Sequence, residues 1–381
     1  MKIVLFGGTF DPVHNEHVKL ARGALKELSP DKLIVLPSFV PPHKATACAP
    51  PEHRKKMCGI AFSFDERIEV SDYEITRGGN SYSYLTATHF REVYPDAEII
   101  FLIGGDSFFE FDTWRHPEII AEKTEIAVVS RGEFTEKLIS RNSAFEKKYG
   151  YKAKLLSFRG DGTSSTYIRY CLMLGAPAEN LPEGIADYIE KNGLYRGDER
   201  FEYVKDHLKE RRLKHTAGVI EYALKLNAKL KLDREKVVLA CVLHDVAKYM
   251  RKEDFPEFSV PEDMPDSVVH AFLGEYVAKN VLGVTDEEVL TAIRYHTTGR
   301  PAMTELEKLV YVADLLERNR DYSGVNKLRK AVEEDFESGF AECMRQGYKH
   351  LKQMLQDGGV YHLTADAYEY YEKNQENLTV K

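Results

Sequence analysis

The sequence predicts two domains of different class: an α/β half built on a doubly wound parallel sheet, followed by an all-helical half. Three observations carry this expectation. The chain has 381 residues, past the size at which one hydrophobic core stops growing. Short apolar runs alternate with amphipathic ones as far as residue 195. Beyond that point the strand-like runs largely vanish and helical periodicity takes over.

In the first half, residues 2–6, 32–36, 99–103, 126–130 and 154–157 read as strands. Residues 16–28, 52–62, 82–93, 135–149 and 166–174 read as helices between them. Near-continuous apolar strands separated by helices imply a parallel, Rossmann-like sheet covered on both faces. The charged, glycine-containing stretch 196–200 (RGDER) reads as a linker, giving domains at 1–195 and 201–381. Helical periodicity follows at 201–211, 215–225, 234–249, 268–281, 286–295 and 305–318, and continues through 324–356.

Composition narrows the class. A hydrophobic share of 43% and a net charge of -8 fit a globular chain, and argue against a dedicated nucleic-acid or membrane-surface binder. The five cysteines (48, 58, 171, 241, 343) are scattered, as expected for reduced thiols in a cytoplasmic protein. No apolar run has the length of a membrane span, and the opening MKIVLFGG reads as a strand entering a glycine turn, not a signal peptide. A homo-oligomer stays open.

The first chemical motif is Phe6-Gly7-Gly8-Thr9-Phe10-Asp11-Pro12-Val13-His14-Asn15-Glu16-His17, between the first strand and the first helix. Adjacent glycines allow close backbone approach to a ligand, and a helix N-terminus offers free N–H groups to an anion. His14 and His17 share one face of the first turn and can donate to phosphate oxygens; the plainer alternative is a tight turn with two solvated histidines. A second segment, Gly162-Thr163-Ser164-Ser165-Thr166-Tyr167-Ile168-Arg169, places three hydroxyls and an arginine at another helix start. That is more than capping requires, and it suits a triphosphate.

Together these segments resemble the nucleotidylyltransferase superfamily, with its H-x-G-H and late S-S-T-x-x-R motifs. Pro41-Pro42-His43-Lys44, Arg54, Glu74-Ile75-Thr76-Arg77, Ile103-Gly104-Gly105-Asp106-Ser107 and Thr113-Trp114-Arg115 narrow the resemblance to nicotinate-nucleotide adenylyltransferases. The resemblance implies transfer of the adenylyl group of ATP, with Mg²⁺, to nicotinate mononucleotide. It also implies roles. His14, His17 and Lys44 act at the reacting phosphates, and Ser164, Ser165 and Arg169 hold the outer phosphates. Gly7, Gly8, Thr9, Phe10, His43, Arg54, Gly104 and Asp106 contact the nucleotides, and Trp114 stacks on the pyridine ring. A lone tryptophan is otherwise more often a core residue. Glu16 stands where the family has glycine, which puts a carboxylate beside a phosphate site and motivates the alternative of a catalytically weak nucleotide sensor.

In the second half, His244-Asp245 is expected mid-helix in an apolar stretch, where an imidazole and a carboxylate need partners. His215, His270, His296 and Asp314 are further candidates. Nitrogen and oxygen ligands without thiolate suit iron, manganese or a similar divalent ion. Taken singly, each histidine is more ordinarily structural or solvated. The order H…HD…H…H…D resembles the HD-domain phosphohydrolases. Arg212-x-x-His215, His244-Asp245-Val246-Ala247-Lys248, Tyr295-His296-Thr297-Thr298-Gly299 and Ala313-Asp314-Leu315-Leu316-Glu317-Arg318 resemble the YqeK-type subgroup.

That resemblance implies symmetrical cleavage of diadenosine tetraphosphate to two ADP at a two-metal centre. His215, His244, Asp245 and Asp314 would hold one ion, and His270 and His296 the other, with Asp245 bridging. Lys248, Arg318 and Arg300 would neutralise the polyphosphate. A general nucleotide phosphatase and a regulatory metal-binding module are the alternatives for this half.

Overall fold

The computed structural model describes residues 1–40, 49–129, 136–157, 162–355 and 359–379. They form two compact units, Met1–Arg169 with Ala178–Tyr195, and Tyr170–Pro177 with Arg196–Lys381. Within the stretch 196–200 expected as a linker, Asp198 caps the helix Glu199–His207 by accepting from the Arg200 and Phe201 N–H groups.

The first unit is built on β1 (Lys2–Gly8), β2 (Lys32–Pro37), β3 (Ile68–Val70), β4 (Glu98–Gly104), β5 (Glu125–Val129) and β6 (Lys154–Leu156). Their order is β3-β2-β1-β4-β5-β6 and every pairing is parallel. Apolar side chains of the inner strands, among them Ile3, Leu5, Ile34, Ile99 and Phe101, are buried in one cluster, as a sheet covered by helices requires. Chain order reverses direction between β1 and β4, so the carboxyl ends of these two strands flank the crevice where open α/β sheets bind ligands. Helix α1 (Asn15–Leu28) leaves the β1 turn, and α2 (Ser165–Met173) follows the second motif.

The second unit is helical. Its centre is α3 (Glu210–Leu230), α4 (Arg234–Leu243), α5 (Asp266–Asn280), α6 (Glu287–Tyr295) and α7 (Glu305–Leu316). Asp233 and Asp286 cap α4 and α6, and Thr304 with Glu307 forms a capping box at α7. Three helices follow, Val325–Glu334, Phe336–Met354 and His362–Thr379.

One expectation is corrected here: His244-Asp245 is not mid-helix. The α-helix ends at Leu243, and the next residues bond three apart, Val246 N–H to Leu243 O and Lys248 N–H to Asp245 O. The His244 ring takes the Cys241 carbonyl at 2.7 Å, removing an acceptor that another α-turn would use. Among the described residues no helix is long and apolar enough to cross a membrane.

Candidate active sites

In the first unit, β1 and β4 are paired through Phe6 and Leu102, which brings Gly7 and Gly8 beside Gly104. A Cβ on Gly8 would lie 2.9 Å from the Phe10 ring, so the turn closes only with glycine there. Phe10 takes a φ of 50° and its ring is buried, so it wedges the turn from below and offers a ligand only its backbone. His14 caps α1, and its backbone N–H donates to His17 Nδ1 at 3.2 Å, with the two rings stacked 3.7 Å apart. Since Nδ1 of His17 accepts, the neutral ring carries its proton on Nε2, the donor a phosphate oxygen needs. Glu16 is buried in the same first turn.

Helix α2 is tied to this turn. Ser165 Oγ donates to the Pro12 carbonyl at 3.0 Å, and Ser164 Oγ accepts the Tyr167 N–H at 3.1 Å. Arg169 donates to the Asp11 carbonyl and to Thr166 Oγ1, with the Asp11 carboxylate 3.6 Å away. Asp11, given no role from the sequence, is the joint: its Oδ1 accepts from Ala49 N–H at 3.1 Å and from the Tyr195 hydroxyl at 2.8 Å. Asp106 is exposed in the first turn after β4, and Trp114 is half-buried with its ring 5.4 Å from that of Phe111. His43 and Lys44 lie outside the described residues.

Arg54 departs from expectation. It is fully buried and cannot touch substrate; its guanidinium donates to the carbonyls of Ala49 (3.1 Å), Thr9 (2.7 Å) and Phe39 (3.0 Å). Three buried acceptors around one cation make it a brace for the turn. Arg54→Met is therefore expected to lower stability by about 3 kcal/mol, read as a fall in the urea midpoint, because each carbonyl loses its donor.

In the second unit all six expected ligands converge, brought together from α3, the turn after α4, α5, the end of α6 and α7. Two buried triads, His215/His244/Asp245 and Asp245/His270/His296, share Asp245. Nε2 of His215 lies 3.3 Å from Nε2 of His244 and 3.0 Å from Asp314 Oδ1. On the other side, Nε2 of His270 lies 3.4 Å from Nε2 of His296 and 3.2 Å from Asp245 Oδ1.

The hydrogen bonds behind the rings decide what this cluster is for. His244 Nδ1 donates to the Cys241 carbonyl and His296 Nδ1 to the Ile293 carbonyl, both at 2.7 Å, so each neutral ring turns a bare Nε2 lone pair inward. His215 differs: its Nδ1 faces Glu317 Oε1 at 3.1 Å and its Nε2 faces Asp314 Oδ1 at 3.0 Å, and although burial lowers its pKa these two carboxylates outweigh it and raise it. Burial pushes His244 down, and His270 down to about 4, so these two rings are uncharged near neutral pH. Asp245 is almost fully buried, and its Oδ2 accepts from the Arg212 guanidinium at 2.6 Å. Its Oδ1 is buried without a well-formed hydrogen bond among the described residues. Converging lone pairs and a buried carboxylate oxygen need a cation, so the donor set fits divalent metal. The buried Cys241 thiol, pushed up by burial, adds no ligand.

Several neighbours were not assigned roles from the sequence. Arg212 donates to Asp245 Oδ2 at 2.6 Å, and Arg320 to Asp314 Oδ1 at 2.6 Å. Glu317 orients His215. Their signal was the spacing of three that puts Arg212 and His215, and Asp314 and Glu317, on the same helix face. Lys248 Nζ stands 3.0 Å from His270 Nε2 and 3.7 Å from Asp245 Oδ1. Two expected phosphate contacts are corrected. Arg318 is held by Glu221 at 3.2 Å, and Arg300 by the fully buried Glu307 at 2.9 Å.

Residues 5–170 match the cytidylyltransferase-like family model and residues 212–319 the HD domain model. A Mycoplasma genitalium protein named "Probable nicotinate-nucleotide adenylyltransferase/Ap4A hydrolase" is 30% identical over 327 residues, covering 84% of this chain and 88% of its own. A Clostridium tetani protein named "Probable nicotinate-nucleotide adenylyltransferase" is 35% identical over 51% of this chain and 99% of its own. The Bacillus subtilis protein named "Bis(5'-nucleosyl)-tetraphosphatase, symmetrical" is 39% identical over 39% of this chain and 83% of its own. The chain belongs to the family of nicotinate-nucleotide adenylyltransferase/Ap4A hydrolase proteins, in which a cytidylyltransferase-like domain precedes an HD domain.

Proposed function

We propose that the chain is a bifunctional enzyme. The first unit transfers the adenylyl group of ATP to nicotinate mononucleotide, giving deamido-NAD and pyrophosphate. The second hydrolyses diadenosine tetraphosphate with one water to two ADP. The observation that carries the first reading is the stacked His14–His17 pair in the turn after β1, the strand whose carboxyl end lies beside that of β4. The observation that carries the second is one buried aspartate shared by two histidine pairs.

Adenylyl transfer needs no protein nucleophile, because a phosphate oxygen of the mononucleotide attacks the ATP α-phosphorus and pyrophosphate leaves. The protein positions the two phosphates and neutralises developing charge, assisted by Mg²⁺. His17 Nε2–H and His14 serve the reacting phosphates, and Ser164, Ser165 and Arg169 the leaving pyrophosphate. Asp11 keeps Arg169 and the motif turn in register.

In the second unit, His215, His244, Asp245 and Asp314 would hold one ion, and His270 and His296 the other with Asp245 between them. Divalent ions there, iron or manganese, would supply Lewis-acid charge neutralisation at phosphorus. Glu317 and the Cys241 and Ile293 carbonyls fix the rings, Arg212 and Arg320 hold the Asp245 and Asp314 carboxylates, and Lys248 supplies positive charge for the phosphates.

The transferase reading is tested by incubating the purified protein with ATP, Mg²⁺ and nicotinate mononucleotide. One pyrophosphate per deamido-NAD is expected. Absence of both products, with ATP bound, would favour the nucleotide-sensor reading.

A further inference from the structure

The cavity that opens onto His215 holds about 780 Å³ and is lined by Arg211, Arg212, Lys214 and Arg320. Of its three carboxylates, Glu317 is engaged with His215 and Glu210 with Lys214, both at 3.1 Å, and the third is Asp321. Two further lining residues are out of keeping with that polar wall: Tyr249, 47% exposed, and Tyr322, 38% exposed. Among the described residues of this unit, the exposed tyrosines are Tyr249, Tyr322 and Tyr370, and two of the three fall in this one cavity. Leaving an aromatic face in water costs the burial it could have had elsewhere.

Each ring is held in place. The Tyr322 hydroxyl donates to the Leu315 carbonyl at 3.2 Å, just beyond Asp314. Tyr249 ends the turn that starts at His244, and the Lys209 ammonium sits 4.8 Å from its ring centroid. Cations for phosphate beside fixed, exposed rings are the two components that nucleotide recognition combines. We propose that Tyr249 and Tyr322 are the platforms on which the nucleobases of the hydrolase substrate stack, so that this cavity selects nucleoside polyphosphates over base-free polyphosphates. The proposal rests on the hydrolase reading above for its metal centre, and deepens it by naming what recognises the base.

The test is calorimetric binding of ADP and, separately, of inorganic diphosphate to the full-length, manganese-loaded protein. Tyr249→Leu and Tyr322→Leu are each expected to weaken ADP about tenfold and diphosphate less than about twofold, with Phe at either position restoring ADP binding. With diadenosine tetraphosphate, the Leu variants are expected to raise KM far more than they change kcat. Unchanged ADP affinity in both Leu variants would overturn the proposal, as would equal losses of ADP and diphosphate. Wild-type protein that binds ADP in this tyrosine-dependent way, yet never cleaves diadenosine tetraphosphate, would sink the hydrolase reading and leave the base platforms standing.

Discussion

Asp245→Ala is expected to abolish hydrolysis of diadenosine tetraphosphate, by at least about a thousandfold, and to strip metal from both halves of the centre. The reason is geometric. Asp245 is the one carboxylate common to the two triads, its Oδ2 lying 3.4 Å from His244 Nε2 and its Oδ1 3.2 Å from His270 Nε2. Loss of an outer partner alone costs about 10–100-fold in metal affinity, and loss of a shared ligand costs more. Elemental analysis after dialysis should show metal near zero in the variant. Adenylyl transfer, carried by residues of the other unit, should stay within about twofold of wild type. A variant that keeps its metal and its hydrolysis would mean that Asp245 is not needed to hold the metal.

His17→Ala is expected to produce the reciprocal result, lowering kcat for deamido-NAD formation by about 100- to 1000-fold with hydrolysis unchanged. His17 is fixed by the 3.2 Å bond from the His14 backbone, and the T-shaped contact with Phe10 at 4.9 Å limits its ring. A preorganised donor aimed at developing phosphate charge matters chiefly in the transition state, so kcat should fall more than the KM for ATP rises. Steady-state kinetics over both substrates reads the split. A pure KM effect would assign His17 to ground-state ATP binding only.

The two architectures were legible because each has its own hydrophobic period. Five of the six strands are visible as apolar runs; β3, the edge strand Ile68–Val70, has three half-exposed or exposed residues and leaves no such run. Of the six metal-ligand candidates, His244 and Asp245 were legible from their apolar surroundings, while His215, His270, His296 and Asp314 stood out only through their order along the chain and the resemblance it carries. What the sequence hid was the direction of the cations. Arg54, Arg318, Arg320 and Arg212 are the same residue type in similar local contexts, yet Arg54 braces three carbonyls and Arg318 holds Glu221, while Arg320 and Arg212 reach the centre. Those outcomes depend on partners from 5 to 97 positions away. Likewise, Asp11 matters because of Ala49 and Tyr195, which no local pattern links to it.

A buried histidine–aspartate cluster of this composition makes the chain a symmetrical hydrolase as well as a transferase. The most direct test is the identity of the products when purified, manganese- or iron-loaded protein is given diadenosine tetraphosphate and the mixture is resolved by ion-exchange chromatography. ADP as the sole nucleotide product, formed only with metal, is the predicted result. ATP with AMP, or intact substrate under every metal tried, would contradict it.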